Sequence, residues 1–409
     1  MTTGLALLFF GTLFSSLIYI GHSAITPVRI GVSAALLIFI LQAKKNRYTY
    51  QFYTLLLIIF SLFTYQFFIG TLVSLFTGTL ESTTNIIKFL FLFITLTTIC
   101  LYGNIHKKYL NTLYLTSNYF MLILIIVSYI EITTRNHFSF SAVYKMPPAF
   151  HFTPSAFYIN QNDFLAIVTL LLTFNTLILV YAKNHNIRII RKKDYYLYIS
   201  YLLYSFYLAL ITTSRTSLVA LSFLFIIIIS IQKRLVIIIA ICLIIIGGLL
   251  FLFYFPDIID KVISYSEIVS YYSGNSTNVR LSLYQDALLN FTIFGEGANN
   301  SHLLYTKLAT PESQGIINPH NYLLELLINN GVLYFTIYIL FNIYLIYKSI
   351  LLKKYFLGTV FILYHFILVG SSSSLFIWSQ YIYYIGFIGF LINISSKDII
   401  NSTPEKEVI

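Results

Sequence analysis

The chain is 409 residues long, with 58% hydrophobic and only 10% charged residues and a mean hydropathy of +0.82. Soluble globular domains carry about a quarter charged residues, so this composition excludes one and leaves a polytopic membrane protein. The net charge of +11 gives no support to nucleic-acid binding, because the basic residues cluster between apolar runs, where cytoplasmic loops and anionic headgroups account for them.

Runs long enough to cross about 30 Å of hydrocarbon recur near 4–20, 25–42, 52–75, 84–103, 110–131, 164–182, 195–213, 216–231, 235–255, 322–346, 355–371 and 376–394. An all-α fold of about twelve transmembrane helices is predicted. The first run opens with uncharged MTTG and has no small-residue cleavage site, so it reads as a retained helix rather than a signal peptide. Basic clusters fall after every second run: Lys44, Lys45 and Arg47; Lys107 and Lys108; Lys183 to Lys193; Lys233 and Arg234; Lys348, Lys353 and Lys354. Basic residues in short loops stay inside, so both termini are predicted to be cytoplasmic, with segments 132–162 and 256–321 outside.

That alternation divides the chain into an amino-terminal bundle (1–255), a large external loop (256–321), carboxyl-terminal helices (322–394) and a cytoplasmic tail (395–409). The bundle would hold about nine helices, with an external loop near 132–162. Apolar stretches within the large loop, such as 281–294, predict short amphipathic helices on the membrane surface. Cys100 and Cys242 lie inside spans, without metal-ligand spacing to histidine.

The ionisable residues inside spans gather near predicted outer ends rather than at mid-membrane, where transporters bind substrates and coupling ions. Arg29, Lys88, Asp163, Arg215 and Glu325 fall there, and Arg280, Glu296, His302 and His320 belong to the large loop. Together they would make one polar site on the external face. No nucleotide donor is available outside the cell, so a synthetic reaction there would draw on a glycan activated as a membrane diphosphate. Arginine forks suit a diphosphate leaving group, and a histidine suits the base for an acceptor hydroxyl. The external loops contain no DxD, and no metal or other cofactor is indicated.

Four motifs carry a family resemblance. They are Tyr158-Ile-Asn-Gln-Asn-Asp-Phe-Leu-Ala166; Ser214-Arg-Thr-Ser217; Arg280 with Tyr284, Ala287 and Phe294-Gly-Glu-Gly297; and Pro319-His-Asn321 with Leu324, Glu325 and Gly331. In this order, across about 155–345, they resemble the O-antigen polymerase and ligase family of bacterial envelope glycan assembly, the Wzy and WaaL proteins. The first motif departs from the family's NPND, with Gln161 replacing the proline.

The resemblance implies a GT-C-like glycosyltransferase in the bacterial inner membrane, inverting and metal-independent, with one large external loop. Arg215 and Arg280 would hold the diphosphate of an undecaprenyl-linked oligosaccharide, and His320 would serve as base. Asn321, Glu325, Asp163, Arg29 and Lys88 would contribute to substrate binding. Membrane lipids, a flippase and a chain-length regulator are the partners it implies.

Each residue also has a plainer reading. Arg215 could be a snorkelling helix-end arginine, Arg280 an ordinary loop charge, and His320 or Asn321 a helix cap. Asn162 and Asp163 are expected to cap a helix, Gly295 and Gly297 to allow a tight turn, and His22, His137, His151 and His365 to be structural. A repeat-unit polymerase is favoured over a ligase of the same fold delivering glycan to a lipid or protein acceptor, and both over a glycolipid transporter.

Overall fold

The computed structural model describes residues 110–139, 141, 143–145, 151–156, 161–184, 192–212, 214–231, 276–296, 321–351 and 355–369, together with ten helical residues between 61 and 76. The described helices are α1 (Leu110–Thr134), α2 (Gln161–Asn184), α3 (Lys192–Ile211), α4 (Arg215–Ile231), α5 (Ser276–Leu289), α6 (Tyr322–Leu351) and α7 (Tyr355–Val369). A short 3-10 turn occupies Val143–Lys145. No strand occurs among the described residues, and the protein there is all-helical.

Among the described residues, three helices are long and apolar enough to cross a membrane: Tyr114–Thr134, Gln161–Val180 and Tyr322–Leu351. They match runs expected at 110–131, 164–182 and 322–346. Helices α3, α4 and α7 coincide with three further runs. The runs at 4–20, 25–42, 84–103, 235–255 and 376–394 lie outside the described residues.

Helix α2 is the axis of the bundle. Its membrane-length window is entirely buried, and α1, α3, α4 and α7 pack against it. Its buried threonines cost little, because Thr169, Thr173 and Thr176 each donate to the carbonyl four residues back, at 2.7–2.8 Å. Neighbouring helices are tied to it and to one another by side-chain hydrogen bonds: Asn175 to Asn118 at 3.3 Å, and Ser128 with Tyr204 at 3.1 Å. The outer helices carry apolar stripes on their exposed faces. On α1 these are Leu115, Tyr119, Leu122, Ile126 and Tyr129, and on α6 they are Leu333, Ile337, Leu340, Tyr344 and Tyr347. Spacings of three and four residues put each set on one helix face. Apolar outside and polar-tolerant inside is what a lipid solvent selects.

Helix α6 is broken. Gly331 takes φ 75° and ψ 176° within it, so it consists of an opening segment to Asn330 and a long segment from Val332. Helix α7 returns antiparallel to the long segment. Tyr338 meets His365 at 3.0 Å near one end of that contact, and Gly358 lies against the Ser349 hydroxyl near the other.

Candidate functional site

The opening of α6 is built by Asn321. Its Oδ1 accepts the N–H groups of Leu323 and Leu324 at 3.0 and 3.3 Å, and its carbonyl accepts the Glu325 N–H at 2.9 Å. This is an N-cap, satisfying donors that a helix start leaves orphaned. The plain reading of Asn321 is therefore correct, and the cap that His320 might have supplied is already filled. His320, Pro319, His302, Arg29 and Lys88 lie outside the described residues.

Glu325 sits in the first turn of α6 and is 3% exposed. No described residue hydrogen-bonds to its carboxyl. Burying a carboxyl without a partner is costly, and inside membrane helices such groups mark functional sites more often than structural ones. Asn329 and Asn330 follow at the next turn, both buried. These two asparagines were not singled out from the sequence, because polar residues within a long apolar run give no periodic signal. The adjacent Asn-Asn-Gly was the one available hint of a break.

Arg215 is the first residue of α4. The turn before it is tight: Ser214 donates its N–H to Ala209 at 3.0 Å, its carbonyl accepts the Leu218 N–H at 3.0 Å, and its hydroxyl reaches Ser217 at 3.1 Å. A helix start with positive dipole and free N–H groups favours anions. Asp163 lies in the first turn of α2 and is buried. Because α2 begins at Gln161, Asn162 and Asp163 fall inside the first turn rather than at the cap expected for them; an acidic residue there complements the helix dipole. The chain leading into α2 is fixed by Glu131, whose Oε2 accepts the N–H groups of Ser155 and Ala156 at 2.9 and 2.6 Å. Thr153 then donates to Gln161 Oε1 at 2.9 Å. Helices α2 and α4 pack directly together.

Arg280 lies in α5, the helix expected in the large loop. In helical register it shares a stripe with Leu283, Tyr284 and Ala287, of which Leu283 and Ala287 are fully buried. Helix α5 packs on α6. In its last turn, the Asp286 carbonyl accepts the N–H of Asn290, just past the helix end, at 3.1 Å. The Asp286 Oδ2 is shielded from solvent with no hydrogen-bond partner, and this desolvation raises its carboxyl above the ordinary aspartate value.

The segment after α5 then docks into the break of α6. In an unbroken helix Val332 would donate to Ile328. Instead Val332 donates to the Thr292 carbonyl at 3.1 Å, Ile328 accepts from Glu296 at 2.8 Å, and Leu333 reaches the Ile293 carbonyl at 3.4 Å. Tyr65 donates to the Asn330 carbonyl at 3.3 Å. The loop backbone thus replaces the missing helical rungs, as buried backbone groups require.

The structure packs Arg280's helix on the helix opened by Asn321 and Glu325, and it separately packs α2, which carries Asp163 in its first turn, on α4, which begins at Arg215. His137 and His365 are structural, as expected. His137 approaches Glu131 at 3.4 Å and the His151 carbonyl at 2.8 Å, and His365 bridges Tyr338 and the Phe361 carbonyl. No group of three or more potential metal-binding side chains occurs among the described residues.

Residues 200–339 match the family model Wzy_C, described as O-Antigen ligase. That stretch holds the second, third and fourth of the four motifs, with Arg215, Arg280, His320, Asn321 and Glu325. No curated protein matches the chain. Over residues 200–339, about a third of the chain, the protein is similar to the O-antigen ligase family.

Proposed function

We propose that the protein polymerises repeat units of a surface polysaccharide at the external face of the bacterial inner membrane. The donor is a growing glycan on undecaprenyl diphosphate, and the acceptor is a fresh lipid-linked repeat unit. The observation carrying this reading is the buried Glu325 one turn inside a helix capped by Asn321, shortly after His320 in the chain, within the family-matched segment. A costly carboxyl at that place needs a function.

The transfer is written with His320 as base. The acceptor hydroxyl oxygen attacks the anomeric carbon from the face opposite the diphosphate, and its proton passes to His320. The carbon–oxygen bond to diphosphate breaks with inversion, and the leaving diphosphate keeps the electron pair. Arg215, at a helix start, and Arg280, on α5, hold that diphosphate and stabilise its growing charge. Asn321, Glu325, Asp163, Arg29 and Lys88 bind the sugars and the lipid headgroup. Diphosphate leaves without a proton, so one proton-transfer group suffices, and the residues assigned here include no metal ligands.

The alternative is a ligase that moves finished glycan to a lipid or protein acceptor; the description of the matching family favours it. Proteoliposomes given only the undecaprenyl-linked repeat unit separate the two. A ladder of products supports polymerisation, whereas transfer appearing only after a second acceptor is added, in one step, would replace it with ligation.

A further inference from the structure

Gly295 and Gly331 face each other across the break in α6, and both have left-handed backbone, φ 83° and 75°. A Cβ on Gly295 would meet the Asn329 carbonyl and, at 2.5 Å, the Gly331 nitrogen. A Cβ on Gly331 would meet the Ile293 carbonyl and, at 2.5 Å, the Gly295 nitrogen. Each obstacle is backbone rather than side chain, so no side-chain rotation can relieve it. The two glycines therefore need each other: an added methyl on either must separate the loop from the helix. Thr292 sets the loop's curvature, its hydroxyl accepting the Gly295 N–H at 2.8 Å.

The joint has two rigid arms. One is α5, with Arg280; the other is the opening segment of α6, from Asn321 to Asn330. Helices transmit a displacement at one end along their length, so the joint sets the spacing of the two arms. We propose that Gly295 and Gly331 are positioning residues for glycan transfer, forming a joint without side chains that registers the helix of Arg280 against the helix opened by Asn321. The inference rests on the transfer reaction proposed above, and it makes the Phe294-Gly-Glu-Gly297 motif a part of the site rather than a turn signal.

The test uses the full chain with Cys100→Ser and Cys242→Ser, carrying spin labels at the exposed Gln285→Cys on α5 and the partly exposed Leu324→Cys on the opening segment of α6. Pulsed electron resonance measures the distance between the arms, and kcat and KM are measured on the same folded, monodisperse protein. Gly295→Ala and Gly331→Ala are each expected to shift or broaden the distance while helical content is kept, and to lower kcat about 100-fold, the effect of a displacement near 1 Å in a reacting site, with little change in KM. A merely structural role would lower the yield of folded protein but leave the distance and kcat of the folded fraction at parental values, and that result overturns the proposal. Should either alanine variant fail to fold, Thr292→Val removes the hydroxyl without adding bulk at the joint; an unchanged distance and kcat there overturn it equally. A parent protein with a single sharp distance but no transfer activity contradicts the reaction, not the joint.

Discussion

Asn321 has a structural job that substitution can separate from the substrate contact proposed for it. Its side chain caps α6, and the loss of such a cap costs about 1 kcal/mol. Asn321→Ala should lower the thermal midpoint in detergent, while Asn321→Ser should restore most of it, since serine also caps. If Asn321 also binds substrate, activity will fall in both; equal activity in Asn321→Ser and the parent would reduce the residue to a cap. Asp286 offers a second test. Its folded-state pKa is raised by desolvation, so its contribution to stability is present below the ordinary aspartate value and lost as pH rises through the raised value. Above the raised value the ionised carboxyl weighs against the fold. Asp286→Asn should therefore raise the thermal midpoint at pH 7 and flatten its pH dependence just above the ordinary aspartate range; an unchanged pH dependence would contradict the assignment. At this scale the sequence disclosed the Asn321 cap and the structural roles of His137 and His365. It did not disclose Asn329 and Asn330, because burial is a property of the packed bundle and not of a local pattern.

Among the elements, helix positions were legible because length and apolarity suffice in a lipid solvent. The run expected at 322–346 is a helix over 322–351, and the segment 281–294 does contain part of a helix, α5. The break at Gly331 was not legible. A lone glycine in an apolar helix is usually tolerated, and only the distant partner Gly295 shows that this one is used for its backbone. A third glycine has a simpler role. A Cβ on Gly358 would lie 2.7 Å from the Ser349 hydroxyl, so α7 approaches α6 closely there, as small residues permit in membranes. Gly358→Leu should destabilise by about 1–3 kcal/mol through overpacking. Gly358→Ala should cost much less, and combining it with Ser349→Ala should recover the loss, as read by thermal unfolding in detergent. Additive losses in the double variant would show that the two positions do not meet.

For the molecule as a whole, the fully buried α2 and the exposed apolar stripes of α1 and α6 describe a membrane bundle, and residues 200–339 are similar to the O-antigen ligase family. The order of the motifs made the resemblance readable before any fold was known, and the last three of the four fall within the stretch that the family model matches. The sequence does not disclose the relative placement of Arg215, Arg280 and His320, since that depends on packing between helices far apart in the chain. The central claim is that His320 acts as the base in glycan transfer. The most direct measurement is single-turnover transfer in proteoliposomes carrying undecaprenyl-linked repeat unit, comparing wild type with His320→Ala at equal amounts of folded protein. Loss of general-base catalysis predicts a rate lower by about 100- to 10,000-fold, with substrate still bound. A variant that transfers glycan at the wild-type rate would contradict the account.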